Sequence, residues 1–285
     1  MKMSMGQMGR RLLGFAVAGM ALVTSTAAFA ELGQPAPWEW KLQQAGSPVM
    51  EHIEWFHNIL LVIITVITLF VLGLLITVMV KFNSKANPVP SRTTHNTLIE
   101  VAWTLIPVLI LVAIAVPSFR LLFLELDIPK ADLTIKATGK QWYWTYTYPD
   151  SKLEFDSLLA CDESRTKCTE PRLLTVDNTI VVPVNKIVVV QTTGADVIHS
   201  FAVPSFGIKI DAIPGRLNET WFKATKTGMY YGQCSELCGK DHAYMPIAVK
   251  VVTDEEFAKW LVDAKKQFSS ARDSTYASAA ERAAH

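Results

Sequence analysis

Two long apolar segments dominate the first half of the chain. They run from Ile59 to Val80 and from Val101 to Phe119, and a helix of about 20 apolar residues is long enough to cross a bilayer. Pro107 and Pro117 fall in the second segment, where a membrane helix tolerates them if neighbouring groups satisfy the freed carbonyls. The pattern predicts a transmembrane helical hairpin over residues 55–125, embedded in a lipid bilayer.

The connection between the two apolar segments is basic. Residues 81–97 contain Lys81, Lys85 and Arg92 and no acidic residue. Because positively charged loops stay on the cytoplasmic side of a membrane, this loop is expected in the cytoplasm. The segment before the hairpin, residues 31–54, and the region after it are therefore expected in the periplasm.

The first 30 residues have the pattern of an export signal. Arg10 and Arg11 precede an apolar run from Leu12 to Val23, and Ala28-Phe29-Ala30 follows. This order is typical of a signal peptide, here residues 1–30, that is removed after export. An uncleaved membrane helix is the alternative, although the run is short for a full span.

Beyond residue 130 the pattern changes to short alternating or β-branched segments. Seven are predicted as strands: Leu133 to Gly139, Leu173 to Asp177, Ile180 to Val184, Ile187 to Thr192, Val197 to Val203, Glu219 to Ala224 and Ile247 to Val252. So many short strands within residues 131–260 indicate an all-β Greek-key sandwich or barrel. A helix is predicted from Asp254 to Ser269. Residues 261–285 should hold its end and, from Ser270, a flexible tail.

Charge and composition exclude some classes of protein. The net charge is only +1, from 27 Lys plus Arg and 26 Asp plus Glu, so nucleic acid is not an expected partner. The apolar fraction of 50% fits membrane segments. The sequence has no C-x-x-C-H motif, the signature of c-type heme attachment.

A cluster of soft metal ligands lies near the end of the β region. Cys234, Cys238, His242 and Met245 fall within twelve residues, in the spacing Cys-x3-Cys-x3-His-x2-Met. Thiolate and thioether select soft metals and imidazole suits copper, so the cluster predicts an electron-transfer copper site. Two thiolates can bridge a pair of copper ions, which needs a further imidazole. His199 is the other histidine in the middle of the β region.

Plainer interpretations compete with copper. A Cys-x3-Cys pair outside the cytoplasm can form a disulfide, but that leaves His242 and Met245 unexplained. A structural zinc site wants four Cys or His ligands and seldom uses Met. The histidines and Met245 can also be ordinary residues of loop, strand or core.

Several further motifs surround these ligands and carry a resemblance. They are Cys234-Ser235-Glu236-Leu237-Cys238, His199-Ser200-Phe201, Asp211-Ala212-Ile213-Pro214-Gly215-Arg216 and Gln141-Trp142-Tyr143-Trp144. From about Trp55 to Trp260 the chain closely resembles subunit II of cytochrome c oxidase. The resemblance implies a cupredoxin-like domain at residues 131–260 that holds CuA, a binuclear copper centre.

The resemblance assigns the copper ligands in two overlapping sets. His199, Cys234, Cys238 and Met245 would bind one copper. Cys234, Cys238, His242 and the backbone carbonyl of Glu236 would bind the other. All these positions are filled in this sequence, which argues against an oxidase subunit that has lost its copper.

The resemblance also implies a function and a location. The chain would accept electrons from cytochrome c and pass them to the heme-copper subunit I, where oxygen reduction is coupled to proton translocation. It would lie in the bacterial inner membrane with its copper domain in the periplasm. A copper-delivery or storage protein is the alternative from another class. A soluble nitrous-oxide reductase, with a similar copper domain, is disfavoured by the two spans.

The resemblance implies residues for the contact with cytochrome c. Trp142 would be the point where electrons enter, although an alternating aromatic stripe is also typical of a core. Asp156, Asp177 and Asp196 align with acidic docking residues, and Asp150 is a further candidate. Such acids would steer a basic cytochrome c. Taken singly, each such residue is more often just a solvated surface charge.

Two glutamates have further implied roles. The Glu236 carboxylate would bind Mg²⁺ or Mn²⁺ shared with the partner subunit, because hard cations prefer oxygen ligands; the alternative is a surface carboxylate. Glu100 would take up protons at the cytoplasmic end of the second span, unless it is only an interfacial charge.

Two cysteines remain outside the copper motif. Cys161 and Cys168 are close in sequence and no histidine lies near them, so a second metal site is not expected. In an oxidising compartment the pair is expected to form a disulfide.

Overall fold

The computed structural model of the protein describes residues 32–162 and 164–283. The predicted signal peptide, residues 1–30, lies outside this part of the chain. In the described part, two long helices lead into a β-sandwich and a third helix follows the last strand. This order confirms the predicted fold class.

Helices α1 (Pro48–Lys81) and α2 (Thr97–Leu126) form the hairpin. At 1.5 Å per residue they are roughly 51 and 45 Å long, so their ends reach beyond a hydrocarbon core of about 30 Å. Both are long and apolar enough to cross a membrane, and apolar side chains are exposed along most of their length. Helix α2 continues through Pro107 and Pro117.

Both helices begin at polar N-caps. The Asn96 side chain accepts hydrogen bonds from the backbone N–H groups of the first turn of α2. The Ser47 hydroxyl accepts one from the Met50 N–H of α1, at 3.0 Å. It also donates to the Phe206 carbonyl, at 2.7 Å, so the start of α1 is bonded to the β domain. Because its first residue is Pro48, helix α1 begins before the predicted boundary at residue 55.

The β domain consists of two five-stranded sheets. The first has the order β3-β2-β1-β5-β8, formed by β1 (Leu133–Lys140), β2 (Tyr143–Tyr148), β3 (Leu153–Ser157), β5 (Ile187–Gly194) and β8 (Asn218–Lys223). The second has the order β4-β10-β9-β6-β7, formed by β4 (Ile180–Pro183), β6 (His199–Val203), β7 (Ile208–Ala212), β9 (Gly228–Cys234) and β10 (Pro246–Val252). The pairs β1–β5 and β4–β10 are parallel, and the others are antiparallel.

The main core lies between the sheets. Alternate residues of β1 are buried, as the two-residue period of a strand requires. On β2 the aromatic stripe Trp144, Tyr146 and Tyr148 is fully buried. Helix α3 (Asp254–Ala283) covers this end of the core, where the Trp260 ring lies 5.4 Å from the ring of Tyr148.

Two predicted features differ from the structure. Residues Leu173 to Asp177 form a turn, because the N–H groups of Leu174 and Thr175 both bond to the Pro171 carbonyl, at 3.1 and 3.2 Å. Only Val176 in this stretch makes a β-bridge. The flexible tail expected from Ser270 is helical as far as Ala283, which fits the high helix propensity of its alanines.

A second, smaller core joins the hairpin to the sandwich. Val49 of α1, Val189 of β5 and Trp221 of β8 are buried together. Ile53 and Leu124 from the two helices pack against them. The outer end of the hairpin and the first sheet therefore share one apolar cluster.

Candidate metal centre

The predicted copper ligands meet at one end of the sandwich. His199 is the first residue of β6 and Cys234 is the last residue of β9. These strands pair with Phe201 opposite Cys234, which brings His199 beside the loop that follows β9. This loop, residues 235–245, returns into β10 directly after Met245. We call it the copper loop.

The Cys234 thiol lies among three other donor atoms. Its Sγ is 3.9 Å from Sγ of Cys238 and 3.9 Å from Nδ1 of His199. The backbone carbonyl oxygen of Glu236 lies 3.4 Å from the same sulfur. Sγ of Cys234, Sγ of Cys238 and a ring nitrogen of His199 all lie within 4.8 Å of one another.

The Cys238 thiol extends this set of donors. Its Sγ is 3.5 Å from Nδ1 of His242 and 3.5 Å from Sδ of Met245. The structure thus brings together all six donors that the sequence singled out: two thiols, two imidazoles, a thioether and a carbonyl. Two overlapping ligand sets require that both thiols lie within reach of the donors of each set, and this arrangement meets that requirement.

Four of the donor residues are buried, His242 is half-buried, and the thiols are free. His199, Cys234, Cys238 and Met245 are exposed by only 0, 5, 3 and 1%. Cys234 and Cys238 form no disulfide, whereas Cys161 and Cys168 do, as predicted. The disulfide interpretation of the Cys-x3-Cys pair is therefore wrong.

The two thiols differ in acidity. Burial raises the pKa of Cys238 to about 12, and the negative charge of Cys234 adds to the rise. Burial also disfavours the Cys234 thiolate, but its hydrogen bonds, chiefly with His199, outweigh burial and lower its pKa. For His199, hydrogen bonds with Cys234 and Asp196 likewise outweigh burial and raise the pKa of the imidazole. A metal that binds both thiolates must displace these protons.

Asp196 fixes the orientation of His199. Its Oδ1 accepts hydrogen bonds from Nε2 of His199, at 2.8 Å, and from the Val197 N–H, at 2.7 Å. Its Oδ2 accepts one from the Gln141 N–H, at 2.7 Å. With Nε2 bound to the carboxylate, Nδ1 faces Cys234. A carboxylate behind a histidine is the usual support of a metal-binding imidazole.

The Gln141-Trp142 pair lies directly on the copper loop. The Trp142 indole N–H donates to the Cys238 carbonyl at 3.2 Å, and the Gln141 side-chain amide donates to the same oxygen at 2.8 Å. A Cβ atom at Gly239 would lie 3.0 Å from the Trp142 ring, and Gly239 has a φ of +125°, a conformation that favours glycine. Trp142 is half-buried. One edge of its ring therefore contacts a residue that carries a thiol ligand.

The next tryptophan, the buried Trp144 of β2, also contacts the loop, whereas Trp142 lies in the turn before that strand. The indole N–H of Trp144 donates to the Met245 carbonyl at 3.3 Å, and its ring lies edge-on to His199, with centroids 6.0 Å apart. The aromatic stripe is thus core along most of β2. At its first two tryptophans it also supports the copper loop.

The three predicted docking acids are all exposed but differ in what they bond to. Asp156 lies on the first sheet and Asp177 on the connection after it. Asp156 accepts a hydrogen bond from the Thr145 hydroxyl, and Asp177 accepts bonds from the backbone N–H groups of Leu158 and Asn178. Asp150 is also exposed. Only Asp196 has both carboxylate oxygens committed around a predicted metal ligand.

The Glu236 side chain points away from the thiols. It is exposed and lines a surface cleft of about 450 Å³ with Lys209, Asp211, Arg216 and Asn218. Two carboxylates in this cleft can offer oxygen to a hard cation. Among the described residues the one group of three metal-binding side chains is His199, Cys234 and Cys238, so a cation here would need ligands from elsewhere.

Glu100 lies far from the copper loop, in the first turn of α2. Its Oε1 accepts a hydrogen bond from the Asn96 N–H at 3.3 Å. With Thr97, Val101, Thr104, Leu105 and Val108 it lines a groove of about 420 Å³ along the helix. Glu100 is half-buried, and its bond to Asn96 directs the carboxylate back toward the start of the helix.

The donor set fits copper better than zinc. Two thiols, two imidazoles and a thioether are soft or intermediate ligands, and Met245 lies in direct contact with Cys238 rather than apart from the cluster. A zinc site would use four Cys or His ligands and leave the thioether without a role. The supporting contacts of Gln141 and Asp196 were not predicted from the sequence. The spacing Asp-x2-His at the start of a strand was a signal for the contact between Asp196 and His199.

Comparison with known proteins gives consistent results over nearly the whole chain. A family model described as "Cytochrome C oxidase subunit II, periplasmic domain" matches residues 133–252, and the model for the transmembrane domain of that subunit matches residues 35–121. A probable cytochrome c oxidase subunit 2 from Rickettsia bellii (strain RML369-C) is 52% identical over 260 residues, or 91% of this chain and 95% of that protein. Cytochrome c oxidase subunit 2 from Cereibacter sphaeroides is 46% identical over 277 residues, or 89% and 91%.

Among the solved structures that the chain resembles is one of a β domain alone. It is the crystal structure of the periplasmic domain of subunit II of the cytochrome oxidase of Bradyrhizobium japonicum. It is 72% identical, covers 50% of this chain and 99% of its own, and has a TM-score of 0.47.

Proposed function

This chain belongs to the cytochrome c oxidase subunit II family, and from that premise we propose that it is the subunit through which electrons from cytochrome c enter the oxidase. As a family member it is a membrane-bound component of a heme-copper oxidase, an oxidoreductase complex. The observation that carries the proposal is the set of six donors around the buried thiols of Cys234 and Cys238.

The residues divide into two overlapping ligand sets. His199 and Met245 complete one set with the two thiols, and His242 and the Glu236 carbonyl complete the other. Two bound copper ions would supply a one-electron redox centre whose charge is shared across both thiolates. The chain's own part is to hold these donors still: the copper loop is anchored in β9 and β10, and Asp196 fixes His199. Ligands that move little keep the energetic cost of electron transfer small.

Trp142 gives electrons a path from the surface. Its ring is partly exposed, and its N–H bonds to the carbonyl of Cys238. A bound cytochrome c could therefore connect to a ligand residue through one side chain and one hydrogen bond. The exposed acids Asp156 and Asp177, with Asp150, would steer a basic partner to this face, and steering raises the association rate more than the affinity.

The protein would lie in a bacterial inner membrane, with the copper domain and Glu236 on the outer side and Glu100 on the inner side. The copper domain would lie in the periplasm, where the Cys161–Cys168 disulfide is stable. Glu236 would share Mg²⁺ or Mn²⁺ with subunit I, the partner that receives the electrons. Glu100, at the opposite end of α2, would take up protons from the cytoplasm.

Copper content and paramagnetic resonance of the purified oxidase complex test the proposal. The wild-type subunit should hold two copper ions and give a delocalised mixed-valence signal, because both thiolates can bridge. Cys238→Ser should lose that signal, whereas Ser235→Ala, an exposed change in the same loop, should keep it. Persistence of the delocalised signal in Cys238→Ser would refute the bridging role.

A further inference from the structure

An arginine from outside the copper loop is clamped onto it. Arg165 donates from Nη1 and Nη2 to the two carboxylate oxygens of Asp241, at 2.8 and 3.0 Å. The same guanidinium lies 4.3 Å from the ring centroid of Tyr244. The Asp241 side chain is 17% exposed and the Arg165 side chain 39%, so water reaches this two-point contact mainly from the arginine side.

The two residues that Arg165 touches stand directly beside predicted metal ligands. Asp241 precedes His242 and Tyr244 precedes Met245, and a single 3₁₀ turn, His242–Tyr244, joins them. Within that turn the Tyr244 N–H bonds to the Asp241 carbonyl at 2.9 Å. The guanidinium therefore spans the turn that presents both an imidazole and the thioether to Cys238.

The loop that carries Arg165 is held in shape by its own contacts. The Cys161–Cys168 disulfide closes it. Inside it, the Asp162 carboxylate accepts the backbone N–H groups of Thr166 and Lys167, at 2.8 and 3.0 Å. These bonds, with those of nearby hydroxyls, lower the pKa of Asp162 to about 2.

Arg165 itself has a left-handed backbone conformation, with a φ of +56°. A non-glycine residue keeps such a conformation only where its surroundings impose it. Here the Arg165 N–H bonds to the Asp162 carbonyl at 2.9 Å. The closed loop thus fixes the backbone from which the guanidinium reaches Asp241.

We propose that Arg165 is a positioning residue for the copper ligands His242 and Met245, and that the disulfide-closed loop 161–168 serves to hold it in place. The inference rests on the copper site of the proposed function. A planar guanidinium that makes two parallel bonds to one carboxylate fixes direction as well as distance, which a lysine cannot do. Loss of the clamp should let the turn move and alter the bonds of its two ligands to metal.

The test compares Arg165→Ala, Arg165→Lys and Lys167→Ala in the purified oxidase complex. Lys167 is exposed on the same loop and carries the same charge, so its removal controls for a general electrostatic effect. Arg165→Ala should change the copper hyperfine pattern and the midpoint potential, and speed copper loss to a chelator about tenfold, the low end of effects from residues behind a metal ligand. Arg165→Lys should fall between wild type and Arg165→Ala, because one charged contact remains.

If Arg165→Ala matches Lys167→Ala in spectrum, potential and copper loss, the positioning role is refuted. A wild-type complex with no such copper signal would instead overturn the proposed function, so the two failures are distinct. A double variant, Cys161→Ser with Cys168→Ser, tests the loop, and its effect should resemble that of Arg165→Ala. Combining all three substitutions should have no larger effect than Arg165→Ala alone. Additive effects would show that the disulfide does not act through Arg165.

Discussion

At the scale of single residues, the role expected of each predicted docking acid depends on which groups its carboxylate bonds to. Asp177 and Asp196 carry the same charge and were predicted to share one role. Asp177 bonds to backbone N–H groups of its own surface connection. Asp196 bonds to Nε2 of His199 and to the N–H of Gln141, next to Trp142. We therefore expect substitutions at the two positions to separate metal binding from partner docking.

Asp196→Asn should weaken copper retention by about 10–100-fold, the usual effect of losing the group behind a metal-bound histidine. The amide keeps the shape of the side chain but cannot offer acceptors to three N–H groups. Competition with a copper chelator measures the change. Asp177→Asn is the matched control, with the same loss of charge: it should keep copper and show a slower, less salt-dependent association with cytochrome c. Equal copper retention in the two variants would contradict the role of Asp196.

A substitution of Glu236, which lies between the two thiol ligands in sequence, should likewise separate two metal-binding roles. Glu236→Gln retains the backbone carbonyl that faces Cys234 but removes a charged oxygen from the surface cleft. The oxidase should then lose bound Mn²⁺ and keep both coppers, because hard cations need charged oxygen ligands. Metal analysis after growth with Mn²⁺ measures both. A full complement of Mn²⁺ in the variant would mean that the carboxylate is only a surface group.

At the scale of elements, the site depends on where strands end. Strand β9 ends at Cys234 and β6 begins at His199, and their pairing closes the gap in sequence between the two. From the first sheet, Trp142 reaches across to the copper loop from the turn between β1 and β2. The two sheets therefore meet at the ligands, one through donors and the other through supporting contacts.

Trp142→Gln should slow electron transfer from cytochrome c to copper by orders of magnitude. Glutamine offers a donor for the Cys238 carbonyl but no aromatic ring at the surface. Copper content and the affinity for cytochrome c should remain close to wild type, because neither the thiols nor the exposed acids change. Stopped-flow reduction of the copper centre measures the rate, and steady-state binding measures the affinity. A change confined to affinity would make Trp142 a docking residue instead.

Alternation and β-branching predicted most strands because they record which face of a strand is buried. The predicted strand from Leu173 to Asp177 was wrong. Its residue types suit a strand, but the N–H groups of Leu174 and Thr175 bond to the Pro171 carbonyl and make a turn. The ligand set was predictable because its members lie close in sequence and differ chemically from their surroundings. Arg165 and Asp241 were not, because 76 residues separate them. Only the folded chain brings their charges together.

At the scale of the whole molecule, the two predicted functional regions lie at opposite ends of the hairpin. Glu100 is in the first turn of α2, and the last turn of that helix leads into β1. The intervening helix spans about 39 Å at 1.5 Å per residue. Electron and proton steps would therefore occur on different sides of the membrane, with no direct contact between them in this chain.

Glu100→Ala should slow steady-state oxygen consumption and leave the copper spectrum unchanged. Electron transfer from cytochrome c to copper should also keep its rate, because Glu100 lies a full helix away. Glu100→Asp should retain part of the activity, since a carboxylate remains near the groove along α2. Turnover by the purified complex over pH 6 to 9 distinguishes the variants. Normal turnover of Glu100→Ala across that range would leave Glu100 as an interfacial charge alone.

The small core at the junction has a mechanical consequence. Val49, Val189 and Trp221 are buried together, and the Ser47 hydroxyl bonds α1 to the carbonyl of Phe206 in the sandwich. Neighbouring domains move relative to each other by default unless an apolar interface joins them, and here the outer ends of both helices pack into such an interface. This contact restricts rotation of the copper domain about the hairpin. Under the proposed function, the distance from the copper ligands to the next electron carrier would then be set by side-chain packing at the membrane surface, and substitutions in this small core would change the rate of electron transfer without touching a metal ligand.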